Sequence, residues 1–209
     1  MEHASEKMVE ELKRLCLSYG LYINETTELL CKKHFELLLK WNEKISLTRL
    51  VKPEDAALLH YFESLFGASL LETSIKSLAD IGSGAGFPGL PIAFARPYLE
   101  VTLIESDRRK AGFLGEVRRN FGLKIKVEQQ RFEAVEPKFD AVAVRAIEQF
   151  DAHISSIFDF ASTSHQLLLF LSEDSAKKVL QNRPPEWIGE IVKIPQSRER
   201  TLLNLKRFT

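Results

Sequence analysis

The apolar and polar positions of the first part of the chain follow a helical rhythm. Apolar residues recur every three or four positions and no alternating strand pattern interrupts them; the first such series is Val9, Leu12, Leu15 and Cys16. Asn24 is placed to cap a second helix, and Pro53 stands in the first turn of a third. We therefore expect a helical cap over residues 1–73.

A different pattern begins at residue 74. Short apolar runs alternate with helical segments, and the runs are SLADIG, VTLIES, IKVEQQ, FDAVAV and QLLLFL. Strands separated by helices of roughly 10–15 residues are typical of βαβ units. The final runs, EIVKIP and TLLNLKRF, predict an antiparallel hairpin. Residues 74–209 are thus expected to form a second, α/β region: a Rossmann-like, mostly parallel twisted sheet with a C-terminal hairpin.

Composition narrows the functional classes. The 209 residues carry 29 Lys and Arg against 29 Asp and Glu, so no overall positive field attracts nucleic acid, and any such role must depend on local patches. Two cysteines cannot form a disulfide framework, and no His or Cys cluster has metal-ligand spacing, so we expect no metal.

The charged start is unlike a secretory signal, and no apolar run approaches the ~20 residues of a membrane span. We expect a cytoplasmic protein with no membrane partner, and, without a heptad run, a monomer.

The segment ADIGSGAGFPGLP carries the strongest chemical signal. Gly82, Gly84 and Gly86 directly follow the first predicted strand and precede a helix. Glycines there allow a tight turn and a close approach of the backbone to a ligand. Glu105 ends the next strand, nineteen residues after Gly86, where a carboxylate accepts hydrogen bonds from ribose hydroxyls. Together these features predict a cofactor that contains a nucleoside.

The spacing of the glycines selects among such cofactors. The dinucleotide motif G-x-G-x-x-G would need glycine where Phe87 stands, and a phenylalanine there would crowd a pyrophosphate. No phosphate-binding G-x-x-x-x-G-K-[ST] occurs. With Asp80 inside the preceding strand, G-x-G-x-G resembles motif I of the class I S-adenosylmethionine-dependent methyltransferases. A dehydrogenase is accordingly disfavoured.

Missing motifs restrict the atom that is methylated. Amino-nitrogen methyltransferases usually carry Asn/Asp-Pro-Pro-aromatic after the fourth strand, where this chain has VAVRAIEQF. Carbon-5 methylation of pyrimidines needs a cysteine near the cofactor, and Cys16 and Cys31 both lie in the N-terminal helices. A ring nitrogen such as guanine N7 needs neither device, because its lone pair carries no proton. Catalysis would then depend on proximity and orientation.

A longer series of motifs resembles a known family. The segments LLLKWNEKISLTRL, LLHYFESL, ADIGSGAGFPGLPIAFARPYLEVTLIESDRRKAGFL and FDAVAVRAIEQF resemble, in this order, the bacterial small-subunit ribosomal RNA methyltransferase G family, also called glucose-inhibited division protein B. The resemblance implies a class I methyltransferase fold and rRNA methylation. The methyl group would pass from S-adenosylmethionine to guanine N7 in 16S rRNA, leaving S-adenosylhomocysteine, with 16S rRNA or the small ribosomal subunit as partner.

The resemblance also implies a set of cofactor contacts. The family's contacts fall on Gly82, Phe87, Phe132, Glu133 and Arg145, and the ribose-binding acid falls on Glu105; Asp80, Gly84 and Gly86 complete the predicted cofactor set. From the sequence pattern, Phe132 can place an apolar face against adenine. Arg145 follows the apolar run AVAV, so we expect its guanidinium to emerge beside the ligand as a positioning group, the alternative being a surface cation that closes a strand. No catalytic residue is assigned beyond this.

Three positions depart from the family pattern. The family usually has Asn where this chain has Ser46, and Asp where it has Glu63. It commonly has a Lys-Gly pair after the fifth strand, where this chain reads FLSEDS. A basic residue there would help to hold phosphate, so Glu173 and Asp174 weaken the expectation of that substrate contact.

Local charge supplies the RNA-binding candidates. Residues 107–131 contain eight basic and three acidic side chains; without the family resemblance, a solvated helix face would be the favoured explanation. Substrate candidates are Arg108 and Arg109 near the cofactor edge, Arg198 and Arg200 in the hairpin, and His60, for which a packing role is the alternative. Two other functions stay open: a class I methyltransferase for another RNA or a small molecule, and a non-catalytic RNA- or ribosome-binding protein that keeps the nucleoside pocket.

Overall fold

The computed structural model describes residues 2–147, 149–198 and 200–208. They form one seven-stranded sheet in the order β3-β2-β1-β4-β5-β7-β6. The first five strands are parallel, while β7 runs antiparallel to both β5 and β6. The strands are β1 Ser77–Ile81, β2 Glu100–Ile104, β3 Ile125–Glu128, β4 Ala141–Arg145, β5 Gln166–Leu171, β6 Trp187–Lys193 and β7 Thr201–Arg207. The expected α/β fold with a C-terminal hairpin is confirmed.

The central strands are apolar throughout because both faces of the sheet are covered. In β5, Leu168 and Phe170 join the core on one face, whereas Leu167, Leu169 and Leu171 join the core on the other. Adjacent side chains of a strand point to opposite faces, so an uninterrupted apolar run supplies two cores at once.

The N-terminal helices pack on the first of these two faces. Their bounds are α1 Glu2–Ser18, α2 Glu25–Asn42, α3 Pro53–Ala56 and α4 Glu63–Leu70. Asn24 caps α2 as predicted, accepting a hydrogen bond from the Thr27 backbone N–H at 2.8 Å. Met8, Phe35 and other fully buried side chains of α1 and α2 belong to the same apolar cluster as Leu78 of β1. The division into regions 1–73 and 74–209 stays a prediction.

One segment between α3 and α4 has an unusual geometry. Residues Ala57–Phe62 form a π-helical stretch, so residues 53–70 make one helix that is wider in its middle. Such insertions are rare and frequently lie at functional sites. Here the insertion carries His60 toward the carboxyl ends of the strands.

Four helices complete the fold: α5 Gly89–Ala95, α6 Arg108–Phe121, α7 Phe150–Phe160 and α8 Glu173–Asn182. Gly122 closes α6 in the left-handed conformation. Helix α8 has no counterpart among the predicted elements. Among the described residues, no helix is long and apolar enough to cross a membrane, and no group of His, Cys, Asp or Glu side chains could hold a metal ion.

Candidate functional site

The glycine turn joins β1 to α5 at the carboxyl edge of the sheet. Gly84 has φ +56°, and a Cβ built there would meet no atom closer than the Gly82 carbonyl oxygen, at 3.8 Å. A Cβ on Gly86, by contrast, would overlap the Leu90 side chain. The fold itself therefore requires glycine at 86, whereas Gly84 faces open space and leaves room for a ligand.

Glu105 lies beside this turn, as the spacing predicted. Its side chain is largely buried, with Oε2 accepting a hydrogen bond from the Gly84 N–H and Oε1 accepting one from the Asp107 N–H, both at 2.8 Å. The carboxylate thus links the turn to the end of β2. The sequence did not predict these backbone contacts, because they depend on how two loops meet.

A cleft of about 290 Å³ opens at the ends of β1, β2 and β3. Three of the predicted cofactor residues, Gly82, Phe132 and Glu133, line it. The remaining lining residues, which were not predicted, are Ile81, Ile104, Ser106, Gln130, Arg131, Ile147 and His153. All but His153 end a strand or lie within three residues after one, and the carboxyl ends of parallel strands are where ligands bind in this type of fold.

The Phe132 ring lies in this cleft with two polar neighbours. It packs edge-on against His153, with ring centroids 6.3 Å apart. Glu133 lies 3.5 Å from the Arg131 Nε and 3.9 Å from the His153 Nδ1. The arrangement offers an apolar face together with carboxylate and imidazole groups at one site.

Asp80 is fully buried and does not line the cleft. Its Oδ2 accepts a hydrogen bond from the Gly89 N–H at 3.0 Å, which fixes the start of α5. Its Oδ1 has no partner among the described residues. Burial raises the pKa of Asp80 to about 7.

Phe87 and His60 are also buried and do not line the cleft. Their rings are stacked, with centroids 4.2 Å apart and planes 8° from parallel. The His60 Nε2 is 2.9 Å from the Thr48 Oγ1. Burial holds the pKa of His60 well below its ordinary value, so the ring is neutral at pH 7. This is the geometry of a packing histidine; contact with substrate stays a prediction.

Arg145 ends β4, but its guanidinium does not emerge beside the cleft. It is buried under the π-helical segment, where Nη2 donates to the Leu59 carbonyl and lies 3.4 Å from Glu63 Oε2. Burial lowers the pKa of Arg145 to about 10, and Nη1 has no partner among the described residues. The expectation of an emerging guanidinium was wrong because the helix carrying Glu63 covers this strand end.

Glu63 proves to be a central residue of this region. Its fully buried carboxylate accepts hydrogen bonds from Ser197 Oγ at 2.8 Å and from Arg200 Nη1 at 3.0 Å, in addition to its contact with Arg145. It therefore connects α4, the end of β4 and the loop before β7. The sequence marked Glu63 only as a departure from a family pattern.

The remaining substrate candidates lie on the surface. Arg198 is exposed, and Arg200 is partly buried by its contact with Glu63. Both line a second pocket of about 400 Å³ together with Glu173 and Lys193. Arg108 and Arg109 are exposed at the start of α6. The structure thus places these candidates in two separate surface regions.

Solved structures with the same fold define the class of protein. The chain is similar to the 23S rRNA methyltransferase ErmE, with a TM-score of 0.55 and 18% identity over 71% of this chain and 67% of that one. It is also similar to M. jannaschii TYW2 in complex with AdoMet, with a TM-score of 0.53 and 15% identity over 79% and 80% of the two chains. The fold is that of the Rossmann-like class I methyltransferases.

Sequence comparison identifies the family within that class. A family model described as GidB, rRNA small subunit methyltransferase G, matches residues 27–193. The chain is 32% identical over 182 residues to ribosomal RNA small subunit methyltransferase G of Xylella fastidiosa (strain 9a5c), covering 84% of each. The chain belongs to the rRNA small subunit methyltransferase G family.

Some alignments are shorter. The protein of the same name from Desulforamulus reducens is 38% identical over 113 residues, which is 54% of this chain and 47% of that protein. The chain therefore aligns with about half the length of this relative.

Proposed function

We propose that this protein transfers a methyl group from S-adenosylmethionine to N7 of a guanosine in 16S rRNA. The observation that carries the proposal is the cleft at the strand ends, where Gly82, Phe132 and Glu133 meet in a chain of this family. The names of the aligned relatives support rRNA as the substrate.

The chain's own residues suit an adenosyl ligand. Gly84 leaves open space beside Glu105, whose carboxylate oxygens can also accept from ribose hydroxyls. Phe132 offers an aromatic face to the adenine ring. When bound, S-adenosylmethionine supplies an electrophilic methyl group.

In this proposal Asp80, Phe87 and Arg145 act as supports instead of direct contacts. Asp80 holds the start of α5 through Gly89, and Phe87 packs against His60. Arg145 anchors the end of β4, two residues before Ile147, which lines the cleft. Gly86 lets the turn close on Leu90. These contacts keep the walls of the cleft in place before a ligand arrives.

Catalysis would require positioning and no general base. The N7 lone pair of guanine lies in the base plane and carries no proton, so the protein has only to orient the base behind the methyl group. The neutral His60, held by Thr48 and Phe87, is not needed as a proton acceptor. Since the substrate is ribosomal, we place the reaction in the cytoplasm and take a monomer as the active form.

The test is methyl transfer to small ribosomal subunits from a strain that lacks this protein. Labelled S-adenosylmethionine should yield 7-methylguanosine in the nucleoside digest of 16S rRNA. A different methylated nucleoside would favour another methyltransferase specificity. Tight binding of subunits with no transfer would indicate the non-catalytic alternative.

A further inference from the structure

Helix α6 presents a strongly basic surface that starts at the rim of the cleft. Ser106 lines the cleft, and Arg108 follows two residues later at the start of the helix. Helical spacing brings Arg108 and Arg119 to the same outward side, about 16 Å apart along the axis. We call this surface the arginine face and define it by six residues: Arg108, Arg109, Gly112, Gly115, Arg118 and Arg119.

The cations of this face are not neutralised by the fold. Among the described residues, no carboxylate lies within 4.0 Å of Arg108, Arg118 or Arg119, and Arg109 reaches Asp107 only at 3.9 Å. The two nearby carboxylates have other partners. Asp107 accepts hydrogen bonds from the Arg109 and Lys110 backbone N–H groups, and Glu116 accepts one from Trp41 Nε1 at 3.1 Å. The positive charge therefore stays available to a partner.

The middle of the face carries no side chains. A Cβ on Gly112 would lie 3.9 Å from the Trp41 ring, and one on Gly115 would lie 3.5 Å from Arg119, both ordinary contacts. Packing thus does not require these glycines, although alanine would favour the helix. Their effect is a bare backbone between pairs of arginines, which lets a bulky partner approach closely.

We propose that the arginine face binds the phosphate backbone of the RNA whose guanine is methylated; this rests on the proposed function. The attraction comes from Arg108, Arg118 and Arg119, which have no ion-pair partner among the described residues, since a guanidinium matches phosphate oxygens in charge and geometry. The position also fits: the face begins two residues after Ser106, which lines the cleft, so RNA bound along it would lie next to the cofactor. Gly112 and Gly115 leave space for the RNA backbone, while the arginines provide the attraction.

The decisive variant is Arg108→Gln/Arg119→Gln, compared with Arg14→Gln/Lys138→Gln. The control removes the same charge from exposed residues paired with Glu11 and Glu136 away from α6. Binding to small subunits from the deficient strain is measured over a series of salt concentrations. We expect the face variant to bind roughly tenfold more weakly at 150 mM salt, with a salt slope smaller by about 1.5 to 2, and the control to match wild type.

A second variant keeps the charge and fills the space. Gly112→Ala/Gly115→Ala should raise the melting temperature by a few degrees while weakening subunit binding. Affinity for S-adenosylmethionine should be unchanged in all variants, which excludes damage to the cleft.

These measurements distinguish failure of the arginine-face proposal from failure of the proposed function. If the face variant and the control share one affinity and one salt slope, the arginine face is not the RNA-binding surface, although the methyltransferase proposal stands. If wild-type protein binds subunits but forms no 7-methylguanosine, the proposed function fails, while the salt slopes still decide the role of the face.

Discussion

At the residue scale, two carboxylates of the same sheet edge differ in their surroundings. Glu105 accepts two backbone hydrogen bonds just after β2, whereas Asp80 is fully buried and one of its oxygens has no partner among the described residues. Sequence spacing predicted that both would lie near the glycine turn. It could not distinguish them, because burial depends on the helices that cover each strand end.

Gly84→Val should abolish S-adenosylmethionine binding in a protein that still folds. The new side chain would fill the open space beside Glu105, and φ +56° adds backbone strain of about 1–2 kcal/mol. Gly20→Val is the matched control, since Gly20 has φ +67° with no atom within 4 Å and lies between α1 and α2 instead of in the glycine turn. Calorimetry should show lost binding only for Gly84→Val; wild-type affinity in that variant would mean that the ligand lies elsewhere.

Asp80→Asn should remove a pH dependence of stability. The pKa of Asp80 is raised to about 7 in the folded protein, above its value of about 4 in the unfolded chain, so the folded state holds this proton more tightly. The contribution of this proton to the free energy of unfolding is therefore complete below pH 4 and is lost as the pH rises through 7. The total loss is about 4 kcal/mol at most.

Urea unfolding at pH 5 and pH 8 measures this difference. The decline of unfolding free energy between these values should be smaller in Asp80→Asn than in wild type. Asp159→Asn, an exposed position on α7, controls for the loss of one charge. Equal declines in the two variants would show that Asp80 ionises normally.

At the scale of elements, Glu63 joins parts that are distant in the sequence. Through Arg145, Ser197 and Arg200 it ties the π-helical segment to β4 and to the loop before β7. The hydrophobic pattern predicted the helix that carries Glu63 but not the π insertion within it, since the same residues fit an ordinary helix. The ion-pair network could not be predicted because its members are up to 137 residues apart.

Glu63→Gln should destabilise the protein by about 3–5 kcal/mol, because the buried Arg145 loses its counter-charge. Glu72→Gln is the control: Glu72 pairs with Lys206 at 2.7 Å on the surface, and such pairs contribute less than about 1 kcal/mol. Chemical denaturation gives both values. Equal, small losses in the two variants would show that the Glu63 network has little role in stability.

Helix α8 shows where sequence patterns were too weak. Only Ala176 and Val179 of this helix are buried, so its apolar stripe is short. The signals present were Ser172, which caps the helix by accepting from the Ser175 N–H, and Glu173 and Asp174 in the first turn. The acidic pair thus has a structural explanation here: Glu173 also pairs with Lys177 at 2.7 Å.

At the scale of the whole molecule, the sheet follows directly from the sequence. Five apolar runs and a terminal hairpin were sufficient to predict a mostly parallel sheet, because only strands covered on both faces are apolar throughout. The strand order and the docking of the N-terminal helices depend on contacts between distant residues, such as Phe35 with the cluster around Leu78. The glycine turn with Glu105 was predictable because both motif and spacing lie within one βαβ unit.

The most direct measurement is calorimetric titration of the wild-type protein with S-adenosylmethionine and, separately, with NAD. We expect one site for S-adenosylmethionine with a Kd well below millimolar and no detectable binding of NAD, because Phe87 stands where a pyrophosphate-binding turn needs glycine. Millimolar or weaker binding of S-adenosylmethionine, or tighter binding of NAD, would contradict it.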